Sequence, residues 1–277
     1  MYLVVQSPRP VSDGDVAGLL RLSSSGNCTR LAAGAVRISA VVPATQIADY
    51  CNDHQFDFAY VPDERRLGHV GLVAMDMDST LITIECIDEI ADMHGIRAPV
   101  AAITASAMRG EIDFAESLRR RVGLLAGLDV AALERVYDER LRLSPGAEAM
   151  LAAFKAAGAK TLLVSGGFTF FTDRLKSRLG LDYTTANDFE IIAGTLTGRI
   201  DGSIVDANAK AEAVRRLRQS PEMADKLVVG IGDGANDLPM LAVADLSVGY
   251  HAKPVVRERT TCQLNYCGLD AVVNLFV

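Results

Sequence analysis

The hydrophobic pattern of the chain changes near residue 69. After that point compact apolar runs recur, and each is followed by polar or glycine-rich residues. Runs this short, bounded by residues that break helices, are typical of buried parallel strands. The predicted strands are residues 70–75, 161–164, 227–231 and 246–248. Because helical patterns separate them, we predict an α/β fold with a doubly wound sheet over residues 69–277.

Residues 1–68 have a different pattern, which predicts a small α+β unit. Ser12 stands as an N-cap before one helical stretch, and Thr45 begins a second one. The predicted strands are residues 3–5, the two arms of a hairpin within 28–42, and 56–61. This β-α-β-β-α-β order is that of ferredoxin-like units. Polar residues 62–68 read as a linker to the larger unit.

Two further segments of the larger unit stand apart from its predicted strands. Residues 86–142 have a long helical pattern between the first two strands. This stretch is too long for a single crossover, so we predict an inserted helical cap. Residues 188–200 resemble a β-hairpin attached to the core.

Composition and charge exclude some classes of protein. The 277 residues carry a net charge of −7, which argues against nucleic acid as the main partner. The five cysteines are odd in number and scattered, as is typical of reduced thiols in the cytoplasm. No apolar run approaches the ~18 residues of a membrane span, and the first residues lack the pattern of a secretion signal. We therefore expect a cytoplasmic protein with no membrane partner.

Two aspartates follow the first core strand. Asp76 and Asp78 are two residues apart, so in an extended chain both carboxylates lie on one face. The carboxyl ends of strands in such sheets border the crevice where ligands bind. Crowded carboxylates need a cation, or one of them must hold a proton. Both conditions suit phosphoryl transfer, in which one Asp attacks phosphorus and the other protonates the leaving oxygen. The alternative is a helix-capping Asp beside an exposed one.

Two other strand ends carry groups that suit a phosphate site. Ser165 and Gly166 follow the second strand and are predicted to open a helix, where a hydroxyl and N–H groups can cradle an anion. Asp233, Asn236 and Asp237 follow the third strand in a glycine-rich turn and offer the oxygen ligands that Mg²⁺ takes. Taken alone, the first segment could be an ordinary turn and the second an Asx-turn.

Lys210 lies near the start of another predicted helix. A lysine there could stabilise an attacking carboxylate and a phosphate. By itself, it is more simply explained as a solvated surface residue.

Several segments together resemble the haloacid dehalogenase superfamily, and more narrowly its bacterial members that act on O-phosphoserine. The matching segments are 76–82, 85–90, 107–122, 165–171, 232–240 and 251–254, together with Lys210. The resemblance covers about residues 69–277. Residues 1–68 match only loosely, as an extension that in some relatives looks like an amino-acid-binding ACT domain.

The resemblance implies a Rossmann-like core with a helical cap and a specific reaction. O-phospho-L-serine would be hydrolysed to L-serine and phosphate, the last step of L-serine biosynthesis, through an aspartyl-phosphate. Asp76 would be the nucleophile, and Asp78 the general acid and then the base. Mg²⁺ would be bound by Asp76, Asp233 and the backbone carbonyl of Asp78.

The remaining implied roles concern binding of the substrate. Ser165, the Gly166 N–H, Lys210 and Asn236 would hold the phosphate, with Asp237 in support. In the cap, Glu85 would bind the substrate ammonium and Arg121 its carboxylate, which a guanidinium fits with two hydrogen bonds. Met108 and Phe114 would line the cap. Without the resemblance, Glu85 and Arg121 could simply be solvated helix residues.

Two other functions stay open at this point. One is the same chemistry on another small phosphate ester, such as phosphohomoserine. The other is a ligand sensor or dimerisation module joined to an inactive core, although the intact set of Asp76, Asp78, Lys210 and Asp233 argues against it. The resemblance leaves open a free amino acid at the N-terminal unit and a homodimer.

Overall fold

The computed structural model describes all residues 1–277 and contains two sheets. The strands of the first sheet are β1 (Tyr2–Gln6), β2 (Cys28–Ala32), β3 (Ala35–Ser39) and β4 (Asp57–Val61). They are antiparallel in the order β2-β3-β1-β4. The helices of this unit are α1 (Asp13–Ser23) and α2 (Thr45–Asp53). The element order is the one that the sequence pattern predicts.

The start of α1 is determined by residues that are close together in the sequence. The Ser12 hydroxyl accepts a hydrogen bond from the Asp15 N–H at 3.1 Å, and the Asp15 carboxylate accepts one from the Ser12 N–H at 2.9 Å. These reciprocal bonds satisfy two backbone donors that a helix end otherwise leaves free. The helix therefore begins where the sequence predicts.

The second sheet is mixed and has seven strands. Its strands are β5 (Val70–Met75), β6 (Lys160–Phe168), β7 (Tyr183–Ile192), β8 (Thr195–Asp201), β9 (Leu227–Gly232), β10 (Leu246–Tyr250) and β11 (Cys262–Leu264). The order is β11-β10-β9-β5-β6-β7-β8, and only β7 and β8 pair antiparallel. The four predicted strands form its centre.

The sequence pattern does not predict the inner half of β7 or the strand β11. The predicted hairpin is the outer half of β7 paired with β8, whereas the inner half of β7 continues the parallel sheet beside β6. That inner half is mostly polar, so it lacks the apolar run on which the prediction depended. The strand β11 has only three residues, too few for a pattern.

Nine helices accompany the second sheet. They are α3 (Cys86–Met93), α4 (Arg97–Met108), α5 (Phe114–Gly123), α6 (Ala131–Arg135), α7 (Ala147–Ala156), α8 (Thr169–Leu179), α9 (Ala207–Arg218), α10 (Leu238–Ala242) and α11 (Pro254–Arg257). The first four form an insertion between β5 and β6, which we call the helical insertion (residues 86–142). The chain enters and leaves it at one place, where Ile82 and Leu143 form an antiparallel bridge.

The central strand β5 is buried on both faces. Val73 and Met75 pack into the larger apolar cluster, with α3, α7 and the last residues of the chain. Leu72 and Ala74 point the other way, into a second cluster with α9, α10 and α11. Each of the larger side chains contributes roughly 1.5–3 kcal/mol through burial. This packing fixes the carboxyl end of β5, where Asp76 follows.

The first sheet is joined to the second unit by both apolar and polar contacts. Val4, Ala59 and Val61 belong to the larger apolar cluster. Asp57 in β4 is only 2% exposed, and its carboxylate accepts three main-chain N–H groups just after β11. The donors are Asn265 at 2.7 Å, Tyr266 at 3.0 Å and Cys267 at 2.8 Å. The N-terminal unit is therefore held in a defined orientation. Among the helices, none has the length and apolar character that crossing a membrane requires.

Candidate active site

The site is built around Asp76, directly after β5. Its N–H donates to the Ile231 carbonyl of β9 at 3.0 Å, so the two strand ends are held together. Asp76 and Asp78 both have extended backbone, with ψ of 162° and 136°. Both carboxylates line one cavity, as the spacing of the two residues predicts. Ser79 then turns the chain with a positive φ of 54°.

Lys210 lies directly behind Asp76. Its side chain is 1% exposed, and its Nζ is 2.7 Å from Asp76 Oδ1 and 2.8 Å from Asp237 Oδ1. The interpretation of Lys210 as a solvated surface residue is wrong. A buried ammonium is stable only when it is paired, and here two carboxylates raise the pKa of Lys210 against the opposing effect of burial.

Asp237 ties the lysine to the loop after β9. Its second oxygen accepts the N–H groups of Asp233 at 3.1 Å and Gly234 at 3.0 Å. Both oxygens of Asp237 are thus engaged by the protein. The side chain fixes the loop geometry, as well as the position of Lys210.

Three carboxylates could hold a metal ion. One oxygen each from Asp76, Asp233 and Asp237 lies within 4.8 Å of the others. Since Asp237 already binds Lys210 and two N–H groups, Asp76 and Asp233 are the better ligands. Asp233 accepts one bond from the Thr80 hydroxyl at 3.2 Å. Two carboxylate ligands are a usual number for a hard divalent cation such as Mg²⁺.

Burial and neighbouring negative charges raise the pKa values of three carboxylates in the site. Burial, helped by the charge of Asp237, raises the pKa of Asp76 well above its usual range. Burial and Glu85 raise the pKa of Asp78 to about 7. Burial and Asp237 raise the pKa of Asp233 to about 6. These raised pKa values show that the positive charge near the carboxylates is too small to stabilise all of them in the ionised form. A bound divalent cation would supply that charge.

The Ser-Gly-Gly segment lies next to Asp78, but in a different element from the predicted one. The strand β6 continues to Phe168 and α8 begins only at Thr169, so Ser165 and Gly166 do not open a helix. The Ser165 hydroxyl accepts the Gly167 N–H at 2.8 Å. A Cβ at Gly167 would lie 3.1 Å from Asp78 Oδ2, so the glycine permits this close approach.

A buried asparagine that no sequence pattern indicates supports this segment. Asn187 in β7 is 1% exposed. Its amide donates to the carbonyls of Gly166 at 2.8 Å and Gly167 at 3.2 Å, and its oxygen accepts the Val205 N–H at 2.7 Å. A lone polar residue in a strand gives no signal of this role in the sequence.

The helical insertion closes the other side of a cavity of about 650 Å³. The predicted site residues that line it are Asp76, Asp78, Glu85, Met108, Phe114, Arg121, Ser165, Gly166, Asp233 and Asn236. Lys210 and Asp237 lie behind this wall. The two sides approach closely, since a Cβ at Gly166 would be 3.0 Å from the Phe114 ring.

Glu85, just before the helical insertion, and Arg121 within it bring opposite charges to the cavity. Glu85 Oε1 accepts a bond from the Ser79 hydroxyl at 2.8 Å, which fixes its carboxylate beside Asp78. Burial lowers the pKa of Arg121, while Asp88 and Glu85 oppose that shift. Asp88 and Lys253 also line the cavity. No role was predicted for either residue from the sequence.

Comparison with known proteins agrees with this architecture. A family model for haloacid dehalogenase-like hydrolases matches residues 73–242, more than half of the chain, so the chain belongs to that family. A phosphoserine phosphatase of Polaromonas sp. is 53% identical over 215 residues, which are 76% of this chain and 91% of that protein.

Two solved structures resemble this one closely. A probable phosphoserine phosphatase of Vibrio cholerae, in its unliganded form, has a TM-score of 0.86 and 34% identity, and the match covers 99% of this chain and 85% of that one. A substrate-bound phosphoserine phosphatase complex has a TM-score of 0.69 and 34% identity, and the match covers 75% of this chain and 99% of that one.

Proposed function

We propose that this protein hydrolyses O-phospho-L-serine to L-serine and phosphate with Mg²⁺, the last step of L-serine biosynthesis. The observation that carries this proposal is the pairing in one cavity of Asp76 and Asp78 with Glu85 and Arg121. The first pair suits transfer of a phosphoryl group. The second pair presents opposite charges to a ligand that has both an ammonium and a carboxylate. The related phosphoserine phosphatases support the same substrate.

The metal site in this proposal uses three groups. The carboxylates of Asp76 and Asp233 would hold Mg²⁺ together with the backbone carbonyl of Asp78. When bound, the ion supplies positive charge to the phosphate and to the crowded carboxylates. The raised pKa values of Asp76 and Asp233 support this assignment.

The first chemical step uses Asp76 as nucleophile. Its Oδ1 accepts the Met77 N–H at 2.7 Å and lies 2.7 Å from Lys210 Nζ, so Oδ2 is left to attack phosphorus. The bond from phosphorus to the serine oxygen breaks, and Asp78 donates the proton that this oxygen needs. A pKa of about 7 suits Asp78 to hold that proton at neutral pH.

The second step reverses the role of Asp78. As a carboxylate, it takes a proton from a water molecule, whose oxygen attacks the phosphorus of the aspartyl-phosphate. The bond between phosphorus and Asp76 breaks, and phosphate leaves. Ser165, the Gly166 N–H, Lys210 and Asn236 hold the phosphate oxygens during both steps, while Asp237 keeps Lys210 in place.

We assign residues 1–68 to a separate ferredoxin-like domain of the ACT type, and residues 69–277 to the catalytic domain with its cap at about 86–142. All proposed catalytic groups lie in the second domain. The substrate-bound relative supports this division, because almost its whole length matches about three quarters of this chain. The first domain would bind a free amino acid or pair two copies of the chain.

A substrate comparison tests the proposal. Arg121→Ala should lower kcat/KM for phosphoserine by about ten- to a hundredfold, since a hydrogen bond to a charged group contributes roughly 1.5–3 kcal/mol. The loss should be much smaller for phosphoethanolamine, which has no carboxylate. Glu85→Ala should impair both substrates, because both carry the ammonium.

The neighbouring Arg120 provides a matched control. It lies on the same helix but is exposed and paired with Glu116 at 2.6 Å, outside the cavity. Arg120→Ala should leave both substrates almost unaffected. If Arg121→Ala reduced the two activities by the same factor, the assignment of the carboxylate would be wrong.

Two alternatives give different results in the same assays. Faster turnover of another ester, such as phosphohomoserine, would keep the chemistry and change the substrate. An inactive core would release no phosphate from any ester with Mg²⁺, and EDTA would make no difference.

A further inference from the structure

One cation on the core side of the cavity has no role in the mechanism above. Lys253 lines the cavity beside Asn236 and Val255. Its side chain is exposed, and among the side-chain hydrogen bonds and ion pairs of the structure none involves its ammonium group. It is therefore a positive charge with no hydrogen bond or ion pair at the mouth of the proposed active site, near enough to Asp233 to lower the pKa of that carboxyl.

The backbone at Lys253 is held firmly, although its side chain is free. The Lys253 N–H donates to the Asp233 carbonyl at 3.0 Å. Two residues earlier, His251 has a positive φ of 44°, its N–H donates to Leu264 O at 2.7 Å, and its Nε2 lies 3.2 Å from Cys267 O. The loop thus fixes the position of Lys253 relative to Asp233.

The cavity is lined by more negative than positive groups, so each cation there affects the binding of an anion. Five carboxylates line the cavity, but only two cations do, Arg121 and Lys253. A phosphate group approaching from solvent carries up to two negative charges and is repelled by those carboxylates. Arg121 belongs to the helical insertion, whereas Lys253 is next to the loop that holds Asn236. Lys253 is the cation placed on the phosphate side.

We propose that Lys253 binds the phosphate group of substrate and product at the mouth of the cavity, opposite the buried Lys210. This inference rests on the proposed phosphatase function but not on which ester is the substrate. Lys210 holds phosphate oxygens from inside, and Lys253 contacts an oxygen that faces solvent. Its contribution falls mainly on binding, because the contact already exists before phosphorus is attacked.

Inhibition by inorganic phosphate provides the main test. In the full-length protein at fixed Mg²⁺, Lys253→Met should raise the inhibition constant of phosphate by roughly three- to tenfold, the range between an exposed ion pair and a charge-assisted hydrogen bond. KM should rise by a similar factor for phosphoserine and phosphoethanolamine. Lys253→Arg should retain most of the affinity, because it keeps the charge.

Lys226→Met serves as the control. Lys226 is also exposed, but it precedes β9 at the end opposite Asp233 and donates to Gly68 O at 3.2 Å. Its loss should leave the phosphate inhibition constant unchanged. Higher ionic strength should weaken phosphate binding less in Lys253→Met than in the wild type, since an exposed charge is screened by salt.

Three outcomes would overturn the inference. The phosphate inhibition constant could be unchanged in Lys253→Met. Alternatively, only the KM for phosphoserine could rise, which would mean that Lys253 binds the substrate carboxylate. The effect could also disappear once Mg²⁺ is saturating, which would make Lys253 part of the metal site. If no ester is turned over, calorimetry of inorganic phosphate with Mg²⁺ still compares the variants, so failure of the proposed function is separable.

Discussion

Asp57, which is buried, and Asp78, which is partly exposed in the cavity, have opposite environments. Asp57, between the N-terminal unit and the core, accepts three main-chain N–H groups at 2.7–3.0 Å. Asp78, in the cavity, accepts one from Cys86 at 3.3 Å and faces Glu85. The first carboxylate is fully engaged and holds the fold together. The second is short of donors, so burial and the charge of Glu85 raise its pKa to about 7.

The difference between Asp57 and Asp78 distinguishes a carboxylate that stabilises the fold from one that can exchange protons. A buried carboxylate is stable when backbone donors satisfy its oxygens, and the three N–H groups at Asp57 do so. The Asp78 carboxylate has one N–H donor and a pKa of about 7, so it can take up and release a proton near neutral pH. Substitutions should therefore affect activity at one site and stability at the other.

The largest effect should come from Asp76, the proposed nucleophile. Asp76→Asn should reduce phosphate release on the order of 10⁴-fold or more, because an amide cannot form the acyl-phosphate. The fold should persist, since the amide still accepts a bond from Lys210. Steady-state phosphate release measures the loss, and mass spectrometry excludes deamidation. Normal turnover by this variant would contradict the covalent mechanism, and a beryllium fluoride mimic of phosphate should bind at Asp76.

The next largest effect should come from Asp78→Asn. General acid–base help is typically worth ~10²–10⁴-fold, and an amide cannot provide it. Mg²⁺ binding should remain, because only the backbone carbonyl of Asp78 is a proposed ligand. Single-turnover kinetics and a Mg²⁺ titration measure the two properties separately. A loss below about tenfold would mean that another group supplies the proton.

A smaller effect is expected at the metal site. Asp233→Ala should shift the Mg²⁺ dependence of activity to concentrations more than about tenfold higher, because the divalent charge would keep one carboxylate. High Mg²⁺ should restore part of the activity. A titration that matches the wild type would show that Asp233 does not bind the metal.

The smallest effect on catalysis should come from Asp57, although its effect on stability should be large. Asp57→Ala removes the acceptor of three backbone N–H groups at the junction, one of them buried, which should cost about 2–4 kcal/mol. Activity of the folded protein should stay within about twofold of the wild type. Thermal and chemical unfolding measure the first property, and kinetics below the transition measure the second.

An exposed aspartate supplies the matching control. Asp63 pairs with the N-terminal amino group at 2.7 Å, and both partners are largely exposed. Asp63→Ala should cost less than about 1 kcal/mol, the usual limit for exposed ion pairs. Equal losses for Asp57→Ala and Asp63→Ala would mean that the junction does not depend on the buried carboxylate.

Much of the fold and the candidate site could be predicted from the sequence. Apolar runs followed by Asp76, Ser165 and Asp233 locate three strands of the sheet and their ends. Parallel strands align their carboxyl ends along one edge, so the runs also place these residues near one another. The helix start at Ser12 is similarly local, because its hydrogen bonds join residues three positions apart.

Tertiary structure decided what depends on distant contacts. Lys210 has the pattern of a surface lysine, but folding brings it 2.7 Å from Asp76 in a buried place. Asn187 and Asp57 gain their partners only from other strands and loops, and no local pattern marks them. The physical reason is that burial and hydrogen-bond satisfaction belong to the packed molecule, whereas strand, turn and cap preferences are already present in short stretches of sequence.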